Sequence, residues 1–160
     1  MQVLPRIVRR SNGQAFCTTD YIAAERWLRT TWQGFVSPTD AEQGAQAAVE
    51  PLDISEVPYL LNDNSQLQGP WFDSIEWLQR VWAPQAARIG IRYVAHVLQP
   101  HTEATLSTVL ARDPFAGQFE LQLFSTVDEA TAWLRDCRRQ HELAAGLAVA
   151  PAAPSQSAAA

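Results

Sequence analysis

The sequence has few of the residues that define disulfide-rich, zinc-binding or membrane-spanning proteins. Its only two cysteines, Cys17 and Cys137, are too few for a disulfide framework, and neither has a second Cys or His at the spacing of a metal site. It also has no uninterrupted run of about eighteen apolar residues, the length that crosses a bilayer as a helix. We therefore expect the cysteines to pack as small apolar side chains, and we expect no bound metal and no transmembrane segment.

Clustered positive charge is also missing. The 12 basic residues are all arginines, they are scattered along the chain, and 17 acidic residues give a net charge of -5. A nucleic-acid-binding domain usually carries a basic patch, so we expect no nucleic-acid partner. The first ten residues contain three arginines and no apolar segment of the kind found in a secretory signal. We therefore expect a cytoplasmic protein.

The chain is instead rich in apolar and aromatic residues. Its 160 residues are 47% hydrophobic and include 6 tryptophans, which is enough for the core of one domain. Residues 141–160 differ, because they are rich in Ala and Pro and have few bulky side chains. We expect one domain over residues 1–140 and a disordered tail over residues 141–160, since the tail buries too little surface to offset the entropy of ordering it.

Hydrophobic periodicity predicts alternating strands and helices along the chain. Residues 1–14 alternate only weakly, so they form either an additional strand or a frayed arm. The predicted element order after them is β-β-α-β-α-β-α-β-α, which indicates an α/β fold with a small mixed β-sheet of about five strands. The predicted strands are residues 15–19, 27–35, 58–61, 91–98 and 119–124, and the predicted helices are residues 37–50, 73–88, 102–110 and 126–140.

The central strand is followed by three polar residues. The apolar run from Pro58 to Leu61 is followed by Asn62, Asp63 and Asn64, residue types that form turns by hydrogen-bonding their own backbone. The pattern therefore predicts that the strand ends here and that a polar loop begins.

The next predicted helix begins with a capping motif. Asp73 stands three residues before Glu76, which is the spacing of a capping box and predicts a helix from Asp73 to Arg88. In an open α/β sheet, the carboxyl ends of strands and the amino ends of the following helices face one crevice. Residues 62–74 are therefore the predicted site, with these candidate binding residues: Asn62, Asp63, Asn64, Trp71, Asp73 and Ser74.

Several interpretations of these residues remain open. The polar residues after Leu61 either bind a ligand or partner or serve only to form a turn. Asp63, His101 and Ser74 could be combined into a hydrolytic triad, but the Gly-x-Ser-x-Gly pattern of a nucleophile elbow is missing. We interpret His96, inside a predicted strand, as a structural histidine rather than a catalytic base.

Four short motifs occur along the chain, in a fixed order relative to the predicted elements. They are Trp32-Gln33-Gly34, Leu61-Asn62-Asp63-Asn64, Gly69-Pro70-Trp71 with Trp77, and Ala130-Thr131-Ala132-Trp133-Leu134. As a set, they resemble the STAS (SpoIIAA-like) domains of sulfate transporters and of bacterial anti-sigma-factor antagonists. The pattern is most similar to stand-alone bacterial proteins described as STAS/SEC14-like.

The resemblance implies a non-enzymatic regulatory domain that binds a protein partner or a small ligand and needs no cofactor. In signalling members of the family, a serine at the start of the helix after the central strand is phosphorylated by a partner kinase. Ser74 is the corresponding candidate phosphoacceptor. The family motif continues with a small hydroxyl residue and glycine, whereas this chain continues with Ile75 and Glu76, and their bulk and charge would hinder phosphorylation.

Two other functions and one assembly state also remain open. The SEC14-like description of the similar proteins and the abundance of Trp, Phe and Leu favour an apolar-ligand or lipid carrier as the alternative. A small hydrolase is the third hypothesis. The possible protein partners include a kinase-like regulator and a second copy of the chain, since small sheets of this kind dimerise through a helix face or an edge strand.

Overall fold

The computed structural model describes residues 5–54, 56–69 and 75–149, which form a mixed sheet of six strands and four helices. Helix α2 is continuous over residues 75–88 and contains the π-helical segment Leu78–Trp82. The strands are β1 (Arg6–Arg9), β2 (Ala15–Ile22), β3 (Trp27–Phe35), β4 (Tyr59–Gln68), β5 (Tyr93–Val97) and β6 (Glu120–Phe124). The helices are α1 (Pro38–Ala48), α2 (residues 75–88), α3 (Glu103–Leu110) and α4 (Val127–Val149).

The strands lie in the sheet in their sequence order. Strands β1, β2 and β3 are antiparallel neighbours, whereas β3, β4, β5 and β6 are all parallel. Parallel neighbours need a crossover connection, and α1, α2 and α3 supply the three that are required. Because such crossovers share one hand, these three helices cover the same face of the sheet. We call this the crossover face, and it carries Leu28, Leu60 and Val94.

Helix α4 covers the opposite face, which we call the α4 face. Leu61 and Ala95 on this face pack against Ala130 and Leu134 of the helix. The alternation of side chains along a strand therefore divides the core into two layers. Among the helices in the described residues, including the 23-residue α4, none combines the length and apolar character of a membrane span.

The predicted α/β class and the apolar packing of the two cysteines are confirmed. In the sheet, β2 pairs with β3, and β6 lies at an edge. Ser37 caps α1 through a capping box with Asp40, as its position before Pro38 indicates. Cys17 and Cys137 are both free and buried. Burial raises the pKa of the Cys17 thiol to about 12.

The structure decides two points near the ends of the domain. Residues 6–9 form the additional strand that was one of the two alternatives, so the sheet has six strands instead of about five, and Arg6 donates to the carbonyl oxygens of Ala47 and Glu50 at the end of α1. Helix α4 continues past His141 to Val149, since Ala, Leu and Glu in this stretch are good helix formers. Residues 150–160 of the predicted tail lie outside the described residues.

The predicted strand end at Asn62–Asn64 is wrong, because β4 continues to Gln68. The expected turn chemistry is present, since Asp63 Oδ1 accepts hydrogen bonds from the backbone N–H and hydroxyl group of Ser65. This chemistry produces a bulge instead of a turn: Thr31 pairs with Asp63, but Gln33 pairs with Gln66. Strand β4 pairs with β5 as far as Asp63, and its pairing with β3 continues beyond the bulge from Gln66 to Gln68.

Gly44 should be required for the packing of α1 against the sheet. A Cβ atom at this position would lie 2.5 Å from Cη2 of Trp32, much closer than a normal contact. We expect Gly44→Ala to lower the free energy of unfolding by about 1–3 kcal/mol through overpacking, although alanine is the better helix former. Urea denaturation measures this change.

Gly146→Ala in α4 is the matched control. No atom lies within 4 Å of the added Cβ there. We therefore expect unchanged stability or a gain of up to about 1 kcal/mol from helix propensity. Equal effects of the two substitutions would contradict the close contact between Gly44 and Trp32.

Candidate functional site

A row of polar side chains crosses the crossover face of the sheet. Thr19 of β2 pairs with Thr30 of β3, Thr30 pairs with Asn62 of β4, and Asn62 pairs with His96 of β5. Directly paired residues point to the same face, so the four side chains are neighbours. Thr19, Thr30 and His96 are buried. Polar groups at such positions require hydrogen bonds, and the row forms them in two groups, one between the threonines and one around Asn62 and His96.

The hydrogen bonds of the row continue to Trp32 and Asn64. The two threonine hydroxyl oxygens are 3.1 Å apart. Trp32 Nε1 donates to Asn62 Oδ1 at 2.8 Å, and Asn62 Nδ2 lies 3.1 Å from His96 Nδ1. Asn64 Nδ2 donates to the Val97 carbonyl oxygen at 3.1 Å and also lies 3.2 Å from His96 Nε2.

A cavity of about 110 Å³ lies between this row and the three crossover helices. Thr30, Asn62, Asn64 and His96 form its polar floor. None of its described lining residues is Asp, Glu, Lys or Arg. Its apolar walls include Ala41 and Ala45 of α1, Leu78 and Trp82 of α2, and Leu106 and Leu110 of α3. The arrangement is an uncharged pocket with a few hydrogen-bonding groups at one end.

The π-helical segment of α2 forms part of the cavity roof. Its wider turn is shown by the bond from the Ala83 N–H to the Leu78 carbonyl oxygen, five residues earlier. The next residue, Pro84, has no N–H to donate to the preceding turn, which favours this irregularity. Both ends of the segment, Leu78 and Trp82, line the cavity. The Trp82 indole is held in place because its Nε1 donates to the Ala45 carbonyl oxygen at 3.0 Å.

His96 is an uncharged group at neutral pH. Burial lowers the pKa of its imidazole to about 4, since the charged form would lose its hydration. The side chains that face its ring nitrogens are the amides of Asn62 and Asn64, which are neutral. The floor of the cavity therefore offers hydrogen bonds without a net charge.

Asp63 does not belong to this cavity, because strand alternation places it on the α4 face. Its carboxylate accepts hydrogen bonds from Arg29 Nη2 at 3.0 Å and from Ser65 Oγ at 2.7 Å. Burial by itself would raise the pKa of Asp63, but these bonds and the Arg29 charge outweigh burial, and the pKa is lowered. Asp63 is buried, but its ion-pair partner Arg29 is 40% exposed. His101, the proposed partner of Asp63 in the triad, is exposed after β5.

The structure thus divides the six predicted site residues. Asn62 and Asn64 share the cavity floor, and Asp63 points away from it. Trp71, Asp73 and Ser74 lie outside the described residues, so their roles stay predictions. The position of His96 inside a predicted strand indicates a structural residue, and this interpretation leaves out its contact with Asn62. The available signal was a polar residue within each of three buried strands, at Thr30, Asn62 and His96.

Comparison of the chain with family models, with curated proteins and with solved structures finds no match. Within residues 5–54, 56–69 and 75–149, no three His, Cys, Asp or Glu side chains are grouped so that they could hold a metal ion. The interpretation of the cavity therefore depends on its own geometry.

His96 should make the stability of the fold depend on pH. Its pKa is about 4 in the folded protein but near 6.5 in an unfolded chain, so the unfolded chain binds the proton at higher pH. The stabilising contribution is complete above about pH 6.5 and is lost as the pH falls towards 4. We expect urea denaturation to show a loss of about 3 kcal/mol between about pH 7 and pH 4.

The His96→Gln variant should lack this loss of stability as the pH falls. Asp63 does not interfere in that range, because its lowered pKa places its own contribution at more acidic pH, below its ordinary value of 3.8. The same dependence on pH in both proteins between pH 6.5 and 4.5 would contradict the assignment to His96.

Proposed function

We propose that this protein is a non-enzymatic binding domain whose cavity takes a small apolar ligand. The observation that carries the proposal is the combination of apolar walls with the polar floor of Thr30, Asn62, Asn64 and His96. Ligand sites commonly have this composition, in which the walls supply affinity and a few polar groups supply orientation. The uncharged lining favours neutral molecules, since an unpaired charge is costly to bury.

The volume limits the size of the ligand. An engineered apolar cavity of about 150 Å³ binds benzene, whereas sites for drug-sized ligands enclose roughly 300–1,000 Å³. The cavity of about 110 Å³ therefore suits a molecule of the size of a single small ring. This favours a small-molecule ligand over a lipid with two acyl chains.

Filling the cavity should abolish binding. Ala45 of α1 lines the cavity, so the larger side chain of Ala45→Leu would occupy the ligand space. Benzene added to the wild-type protein should shift the indole N–H signals of Trp32 and Trp82 in ¹H–¹⁵N NMR spectra, because both rings line the cavity. The signal of Trp133, which packs on the α4 face, should not move. The Ala45→Leu variant should show none of these shifts.

Gln43→Leu is the matched control, since residue 43 is on the exposed side of α1. It should bind benzene like the wild-type protein. Equal shifts in the Ala45→Leu and wild-type proteins, or shifts that include Trp133, would contradict binding in this cavity.

We propose a second function, binding of a protein partner by a STAS-like domain at the carboxyl ends of β3 and β4. The Phe35 ring supports it, because 60% of this side chain is exposed at the end of β3. The ring lies directly against Gly69, where an added Cβ would be 2.5 Å from it. Aromatic side chains such as Phe are enriched at protein–protein interfaces, which favours Phe35 as a contact residue.

The Phe35→Ser substitution should therefore abolish or weaken the binding of a protein partner. The measurement is affinity capture from the native host with wild-type and variant proteins, followed by mass spectrometry. Leu143→Ser is the control, because Leu143 is 69% exposed but lies on α4. A protein captured equally by all three would contradict a role for Phe35.

A further inference from the structure

The orientation of the Asn62 amide is determined by a group that can only donate. Trp32 Nε1 donates to Asn62 Oδ1 at 2.8 Å, and an indole nitrogen does not accept hydrogen bonds. The amide oxygen must therefore face Trp32. As a result, the Nδ2 group of Asn62 faces His96 Nδ1, at 3.1 Å.

The Asn64 amide is oriented by a group that can only accept. Its Nδ2 donates to the Val97 carbonyl oxygen at 3.1 Å, and turning the amide around would place two oxygens at this distance. The same Nδ2 lies 3.2 Å from His96 Nε2 and 3.5 Å from His96 Nδ1, which places it over the face of the ring. The side-chain groups within hydrogen-bonding distance of the two ring nitrogens are therefore amide nitrogens, which are donors.

The His96 ring cannot satisfy both contacts. A neutral imidazole has one nitrogen that accepts and one that carries a hydrogen. One ring nitrogen can accept from an amide N–H group, but the N–H on the other has no acceptor, because both side chains within hydrogen-bonding distance of the ring present donors to it. In either tautomer, one buried N–H has no acceptor among the described residues. Leaving such a group unsatisfied is costly, so the site favours a molecule that brings an acceptor.

The surroundings define what kind of acceptor fits. His96 lines the cavity, so a bound molecule can reach its ring. The Thr30 hydroxyl group, also on the floor, already pairs with Thr19. The described lining has no basic residue to balance a carboxylate and no acidic residue to balance an amine. A neutral oxygen that accepts one hydrogen bond meets both conditions, because it pairs with the unsatisfied His96 N–H and brings no charge into the uncharged cavity.

We propose that the cavity selects an uncharged carbonyl compound, such as a small ketone, ester or amide, whose oxygen accepts a hydrogen bond from the His96 ring. This inference rests on the proposed function and specifies its ligand class. The apolar part of the ligand would lie against the walls formed by Leu78 and Leu106.

Cyclopentanone and methylenecyclopentane test this selectivity, because they differ only in the exchange of the carbonyl oxygen for a CH₂ group. Their dissociation constants are measured by NMR titration of the Trp32 and Trp82 indole signals. We expect the preference for cyclopentanone to fall about tenfold in His96→Phe, the value of one hydrogen bond. Using the ratio of the two constants cancels the difference in hydration between the probes.

Gln43→Leu is again the matched control, because residue 43 is on the exposed side of α1 and outside the described cavity lining. It should leave the ratio unchanged. A second measurement uses the wild-type protein alone. In ¹⁵N spectra of labelled histidine, cyclopentanone should shift the protonated ring nitrogen of His96, whereas methylenecyclopentane should not.

The outcomes separate the two proposals. If both probes shift the indole signals but the ratio is the same in the wild-type and His96→Phe proteins, carbonyl selectivity is overturned and cavity binding stands. Cyclopentanecarboxylate binding as tightly as cyclopentanone would also overturn it, because the ligand would not need to be neutral. If neither probe shifts the signals of Trp32 and Trp82, both proposals fail.

Discussion

The hydrogen bond from Trp32 to Asn62 is the contact on which the rest of the site depends. Gly44 allows the Trp32 ring to lie close against α1, since any Cβ there would overlap it. In this position the indole nitrogen donates to Asn62 Oδ1 and determines which end of the amide faces His96. A packing requirement between a helix and the sheet thus determines the direction of hydrogen bonds on the cavity floor.

The polar row lies in the part of the sheet where burying a polar group costs the most free energy. Thr30 and His96 are buried on strands that have neighbours on both sides, and each depends on a side-chain partner for a hydrogen bond. Apolar residues at these positions would satisfy the fold without such a network. Both the buried polar groups and the unfilled space above them lower the stability of the fold, and both are typical features of a ligand site. The ion pair of Asp63 with Arg29 on the α4 face stands apart, since the Asp63 carboxylate accepts its hydrogen bonds from Arg29 and Ser65.

Local signals predicted the elements well wherever neighbouring residues determine the backbone. Ser37 before Pro38 marks the start of α1, and the spacing of Ala130, Leu134 and Cys137 marks the buried side of α4. The same reasoning failed at Asn62, Asp63 and Asn64. The Asp63 side chain does accept from the nearby Ser65 backbone N–H, but β4 pairs with β5 as far as Asp63 and with β3 as far as Gln68, so the strand continues through a bulge.

The sequence by itself determined the α/β class, the principal helices and strands, and the presence of polar residues within otherwise apolar strands. Only the tertiary structure decided that Thr30, Asn62 and His96 lie side by side, because strand register depends on contacts between segments far apart in the chain. It also separated Asp63 from Asn62 and Asn64, since adjacent residues in a strand point to opposite faces. In a turn, Asn62, Asp63 and Asn64 would lie together at one edge of the sheet. In the strand, Asn62 and Asn64 line the cavity, and Asp63 forms an ion pair on the other face.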